Sequence, residues 1–205
     1  MTTSFGTDRP RRLMPRHLAI IAVLVGAGAI AAPLYAVGSH KQVKKAEATL
    51  VDAAGAPVGV VGLKEKHGMV EVEGEVRGLT AGFHGFHVHT VGSCVGPTFA
   101  SAGGHLNPGG AVHASHAGDM PVLLVNADGS ASASFKSDRF EVADLFDDNG
   151  SAVIVHANAD NYANIPARYD PDPDATTLAT GDAGGRVACG VIEARGNDGA
   201  TRAVR

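Results

Sequence analysis

Residues 85–89, Gly85-Phe86-His87-Val88-His89, alternate apolar and polar side chains. In an extended strand successive side chains point to opposite faces, so Phe86 and Val88 turn to one side and His87 and His89 to the other. The stretch therefore predicts a strand with one apolar face, and it makes two imidazoles converge on one point. A single ion can take a neutral nitrogen from each ring, and copper and zinc are the ions that imidazole suits best. The alternative is two polar residues on the wet face of a half-buried strand.

Working outward, the segments 46–52, 58–65, 69–79, 85–89, 121–125, 131–135, 151–156 and 187–193 each read as a strand. Val70-Glu71-Val72-Glu73 alternates, and Val153-Ile154-Val155 is the apolar run of a strand packed on both faces. Turn signals such as Ala54-Gly55-Ala56-Pro57, His67-Gly68 and Asp128-Gly129 separate them. Eight short strands, 27 glycines and almost no helical periodicity predict an all-β fold, an antiparallel Greek-key sandwich or flattened barrel. Phe140 to Phe146 is the one stretch that reads as a helical turn. Residues 90–119 and 157–186 are long Gly-, Asp-, Asn- and Pro-rich connections, and loops of that length in a compact domain carry function or are disordered.

Residues 1–38 stand apart. Arg9, Arg11, Arg12 and Arg16 precede an uncharged apolar run from Leu18 to Gly38, the order of an export signal. The run is also long enough to span a bilayer as a helix, so cleavage and retention as an N-terminal membrane anchor are both consistent with it. Without that segment the chain keeps 13 basic and 20 acidic side chains, a net charge of −7. Nucleic acid is excluded as a partner on that balance, because binding it requires a basic footprint. Residues 39–195 are enough for one domain with a proper core, and the polar stretch 196–205 reads as a flexible tail. Cys94 and Cys189 are the only cysteines. In an oxidising compartment the simplest arithmetic pairs them, the alternative being two separate buried thiols.

Seven of the ten histidines lie between His84 and His156. His105, His113, His116 and Asp119 fall within 15 residues of the first long connection, and three imidazoles with one carboxylate make a closed tetrahedral zinc shell. A solvated His-rich loop is the alternative. His156 ends the apolar strand. With His87, His89 and one loop histidine it makes a four-nitrogen set, which favours Cu(II) in tetragonal geometry. His105 is the loop histidine best placed to be shared, and to serve both ions it would have to be an imidazolate.

Several spaced strings resemble copper-zinc superoxide dismutases, in an exported bacterial form: Gly82-Phe83-His84-Gly85-Phe86-His87-Val88-His89, Ser101-Ala102-Gly103-Gly104-His105-Leu106-Asn107-Pro108, His116-Ala117-Gly118-Asp119, Val155-His156-Ala157-Asn158-Ala159-Asp160, and Gly181 through Ile192. The likeness runs from about Ala46 to Ala194. It implies copper on His87, His89, His105 and His156, and zinc on His105, His113, His116 and Asp119, with His105 as bridge. It implies that Asp160 links a copper ligand to a zinc ligand by hydrogen bonds, that Cys94 and Cys189 form a disulfide, and that Arg186 stands beside the open copper position. The resemblance gives His84 no ligand role, and it reads as a hydrogen-bonded structural residue. His67 sits in an expected hairpin turn and His17 and His40 flank the export segment, so these three have no metal role. The expected activity is conversion of superoxide to dioxygen and hydrogen peroxide by Cu(II)/Cu(I) cycling, with His105 exchanging a proton and Arg186 holding the anion. A copper-only dismutase and a non-enzymatic copper-binding module are the competing readings. Residues 157–186 hold five aspartates against Arg168 and Arg186, which predicts weak electrostatic steering of an anion. Location in the cell envelope or outside the cell, attachment to a membrane through residues 18–38 and a homodimer are all compatible with the sequence.

Overall fold

The computed structural model describes residues 43–196. The expected export segment 1–38 and nearly all of the expected tail lie outside the described residues. Among the described residues nine antiparallel strands run β1 (Lys45–Asp52), β2 (Pro57–Lys66), β3 (Met69–Val76), β4 (Gly82–His84), β5 (Phe86–His89), β6 (Leu123–Val125), β7 (Ala131–Ser137), β8 (Ala152–His156) and β9 (Arg186–Ala194). Seven of them make one sheet in the order β5-β8-β9-β1-β2-β3-β7, and β4 pairs with β6 in a second. β4 leads directly into β5, and β6 precedes β7, so the small sheet connects the two edges of the large one. This is the expected all-β flattened barrel.

The ninth strand arises because the segment expected at 85–89 begins earlier and changes partner at Gly85. Before that residue the chain pairs with β6, after it with β8. A Cβ at position 85 would lie 2.7 Å from the Ala183 methyl carbon, closer than packed carbons approach, so only glycine lets the strand cross there. The strand expected at 69–79 stops at Val76.

Period-2 alternation sorts the side chains as the sequence predicts. Val70, Val72 and Val76 of β3, Phe86 and Val88 of β5, and Val153 and Val155 of β8 enter one central cluster with Leu50, Leu63 and Val125. The opposite face of β8 and β9 is covered as well. Ala152, Ile154 and Cys189 pack there against Phe99 and Ala102 of the first long connection. Burying Phe99 contributes about 1.5–3 kcal/mol to holding that loop on the barrel. The Cys94–Cys189 disulfide closes over the same cluster, its Cα atoms 5.7 Å apart.

β5 is an edge strand with unspent hydrogen-bonding groups, and the loop satisfies them. Val88 N–H donates to Gly118 O (2.9 Å), and Leu106 N–H donates to Val88 O (2.8 Å). The docking aligns His87 with Asp119 and His89 with His105 across the edge. The second connection is not structureless. It contains a six-residue helix α1 (Ala175–Thr180), whose Asp174 carboxylate accepts from Thr176 N–H and Thr177 N–H at 2.9 Å. The helical turn expected at 140–146 forms as a 3-10 turn over Val142–Phe146.

Candidate metal centre

His87 and His89 project from the outer face of β5, and His156 ends the neighbouring β8 on that same face. On an uncovered barrel all three would be wet. Under the loop they are buried, with His87 at 0%, His89 at 1% and His156 at 3% exposure. His105 enters from the loop at the β5 edge and completes a set of four nitrogens lying within 4.8 Å of one another. A second set, His105, His113, His116 and Asp119, meets the same criterion, and His105 belongs to both.

Hydrogen bonds on the far side of each ring determine which nitrogen faces the centre. His87 Nε2 donates to Asp160 Oδ2 (2.7 Å), His89 Nδ1 to Gly103 O (2.9 Å) and His156 Nδ1 to Gly184 O (3.1 Å). The lone pairs left over are His87 Nδ1, His89 Nε2 and His156 Nε2, the last two 3.3 Å apart. His105 turns Nδ1 toward the second set, 2.9 Å from Asp119 Oδ1 and 3.4 Å from His116 Nδ1. Its Nε2 is left for the first set.

The donors fit two metal ions. His87 Nδ1, His105 Nε2 and His113 Nδ1 are buried atoms without a hydrogen-bond partner, which a folded protein tolerates rarely. His113 Nδ1 and Asp119 Oδ2 lie 3.1 Å apart yet make no hydrogen bond, as expected for two donors aimed at a common third point rather than at each other. Four imidazole nitrogens suit copper, and three imidazoles with a carboxylate suit zinc.

Asp160 joins the two sets. Its Oδ2 accepts from His87 Nε2, and its Oδ1 lies 2.9 Å from His113 Nε2. Tyr162 N–H, 2.6 Å from Oδ1, helps to orient the carboxylate. Gly181 makes room for it, since a Cβ there would fall 1.8 Å from Oδ1. Sequence reasoning missed Gly181. Its signal was the position after α1, where a residue at φ 57 caps the helix.

Burial drives His89 down to about 2 and His156 to about 3, so both rings stay neutral and keep a lone pair. His87 and His116 are lowered for the same reason. His113 differs. Burial pulls it down, but the carboxylates of Asp119 and Asp160 outweigh burial and raise it to about 9. Both acids are held below the usual carboxylate range. Burial would raise them, but the His105 hydrogen bond and the close His113 imidazole lower Asp119, and hydrogen bonds from His113 and His87 lower Asp160, and these prevail.

Arg186 begins β9 in register with His156, and its guanidinium donates to Phe99 O and Gly103 O. The start of β9 and the loop are thus tied together by a cation beside the four-nitrogen set. His84 lies outside both sets. Its Nδ1 is 2.7 Å from His156 O and its Nε2 2.9 Å from Thr80 O, a structural role as expected. His67 sits in the β2–β3 turn, away from the cluster.

The family description copper/zinc superoxide dismutase matches residues 58–192. A Cu-Zn superoxide dismutase of Mycolicibacterium paratuberculosis is 46% identical over 142 residues, 61% of this chain and 63% of that protein. The chain thus spans less than two thirds of that mycobacterial relative. One from Escherichia coli K12 is 35% identical over 191 residues, covering 86% of this chain and 97% of that protein. Among solved structures, the Cu/Zn superoxide dismutase of Brucella abortus superposes with a TM-score of 0.59 at 32% identity, over 73% of this chain and 100% of that one.

Proposed function

The chain belongs to the copper/zinc superoxide dismutase family, and from that membership we propose that it converts superoxide to dioxygen and hydrogen peroxide. Copper would be held by His87 Nδ1, His89 Nε2, His105 Nε2 and His156 Nε2. Zinc would be held by His105 Nδ1, His113 Nδ1, His116 Nδ1 and an Asp119 oxygen. When bound, copper supplies one-electron exchange and zinc a fixed charge without redox chemistry.

His105 carries the proton chemistry in this reading. Its Nε2 is buried and unpartnered, so a proton stored there in one half of the cycle can be given up in the other, while Nδ1 stays turned toward the second set. Asp160 keeps His87 and His113 in their tautomers throughout. Arg186, anchored on two carbonyls, offers a charge-assisted site for the anion. The observation that carries the reading is the pair of orphaned nitrogens, His87 Nδ1 and His105 Nε2, facing one point among four buried imidazoles.

Residues 39–195 would be the working domain, exported by way of residues 1–38, which would act as a cleaved signal or an anchor. The closed disulfide fits an oxidising compartment. Among the described residues, no helix is long and apolar enough to cross a membrane. The deciding experiment is a superoxide-consumption assay with metal analysis on the purified chain and on His156→Ala. Loss of copper and of activity is expected; full activity in the variant would remove the proposed copper site.

A further inference from the structure

The loop that carries His105, His113, His116 and Asp119 is attached to the barrel along one side, where Leu106 and Gly118 bond the β5 edge. Its other side faces the end of β7. There Arg139 reaches across, and its Nη1 lies 2.8 Å from Ala114 O and 3.4 Å from both His116 O and Asp119 O. A single guanidinium nitrogen therefore meets the carbonyls of two residues of the second metal set and of the residue that follows a third.

We propose that Arg139 is a positioning residue for the zinc set, holding the outer side of the loop so that His113, His116 and Asp119 keep a common focus. Arg139 is able to do this because its own backbone is immobilised. Its N–H is 3.2 Å from Ser137 Oγ, Ser137 closes the β3–β7 ladder opposite Val70, and Phe140 is buried in the central cluster. The contacts are all to backbone carbonyls, so they restrain the loop without taking a side-chain donor from the metal.

Electrostatics alone predicts the opposite sign, which makes the inference testable. A fixed positive charge near a cation site weakens it, so removing that charge should strengthen zinc binding. Removing a positional restraint should weaken it instead. Outer restraints of this kind are worth about tenfold or more in metal affinity.

The inference rests on the zinc site proposed above, and the experiment separates the two. The purified full chain, loaded with copper and zinc, is challenged with a chromogenic zinc chelator, and zinc release is followed beside the visible absorption of copper. Arg139→Ala should release zinc about tenfold faster, while Arg139→Lys, whose ammonium can still meet carbonyls, should stay close to the parent. The thermal midpoint of the metal-free Arg139→Ala chain should match that of the metal-free parent. Unchanged or slower zinc release in Arg139→Ala would overturn the inference. So would a lysine variant as fast as the alanine variant, or a metal-free midpoint lowered as far as the loaded one. A parent chain that takes up no zinc would instead overturn the zinc site itself.

Discussion

β3 and β5 are written in the same period and end in opposite conditions. In β3, Val70, Val72 and Val76 face the core while Glu73 and Glu75 stand exposed on the barrel's outer face. In β5, Phe86 and Val88 face the same core, but the outward residues His87 and His89 are as buried as the valines. The strands do not differ in local geometry. β3 lies inside the sheet between β2 and β7, its outer face bare, whereas β5 lies at an edge onto which a loop folds. Alternation decides which face a residue takes, and the cover decides whether that face is surface or site.

Removing the cover's tether is the largest way to break this contrast. Cys189→Ser opens a link across 95 residues, and the chain-entropy argument puts the loss at about 4 to 5 kcal/mol. Chemical denaturation should show it, and a loss below about 1 kcal/mol would mean that Phe99 packing alone secures the loop. Next comes Asp160→Asn. The amide can donate where a carboxylate only accepts, so one of the two histidine contacts is lost, and metal affinity should fall about 10- to 100-fold in competition with chelators.

Acidity tests the cover in another way. In the metal-free chain, His89 and His156 have folded values far below their ordinary 6.5, so their contribution to stability is complete above 6.5 and is lost as pH falls toward 2 to 3. His113, raised to about 9, contributes fully below 6.5 and loses that contribution as pH rises through 9. Calorimetry of the metal-free chain should therefore find a maximum near neutrality, with the midpoint falling from pH 7 to pH 4. A rise over that interval would contradict the burial of the imidazoles.

Smaller still is the salt effect. With five aspartates against two arginines in residues 157–186, the rate of superoxide consumption should depend only weakly on ionic strength, and a steep decline with added salt would contradict that charge reading. At the bottom of the scale, Glu73→Gln on the uncovered face should change stability by no more than about 0.5 kcal/mol and leave activity intact. A marked effect there would mean that the bare face of β3 is covered after all.

Much of this was legible beforehand because strands announce themselves locally. His87 and His89 share a face by alternation, the apolar run at 153–155 marks a strand covered on both sides, and the metal-binding residue types are written in the chain. α1 was not legible as a helix, since six residues are too few to show a period, although Asp174 before it and Gly181 after it are cap signals. The partner change at Gly85 escaped as well, because nothing local distinguishes a glycine in a crossing strand from one in a turn. Nothing local marks Arg139, since its carbonyl partners are 20 to 25 residues away.

By itself the sequence determined most of the strand pattern, the shared face of His87 and His89, the two cysteines available to pair, and, by resemblance, the proposed ligands. Only the tertiary structure decided which nitrogen of each ring faces inward, how Asp160 spans 73 residues to His87 and 47 to His113, and that a loop seals the outer face of β5. The reason is physical. Alternation is a property of neighbouring residues, whereas tautomer, burial and donor focus depend on groups brought together from distant parts of the chain.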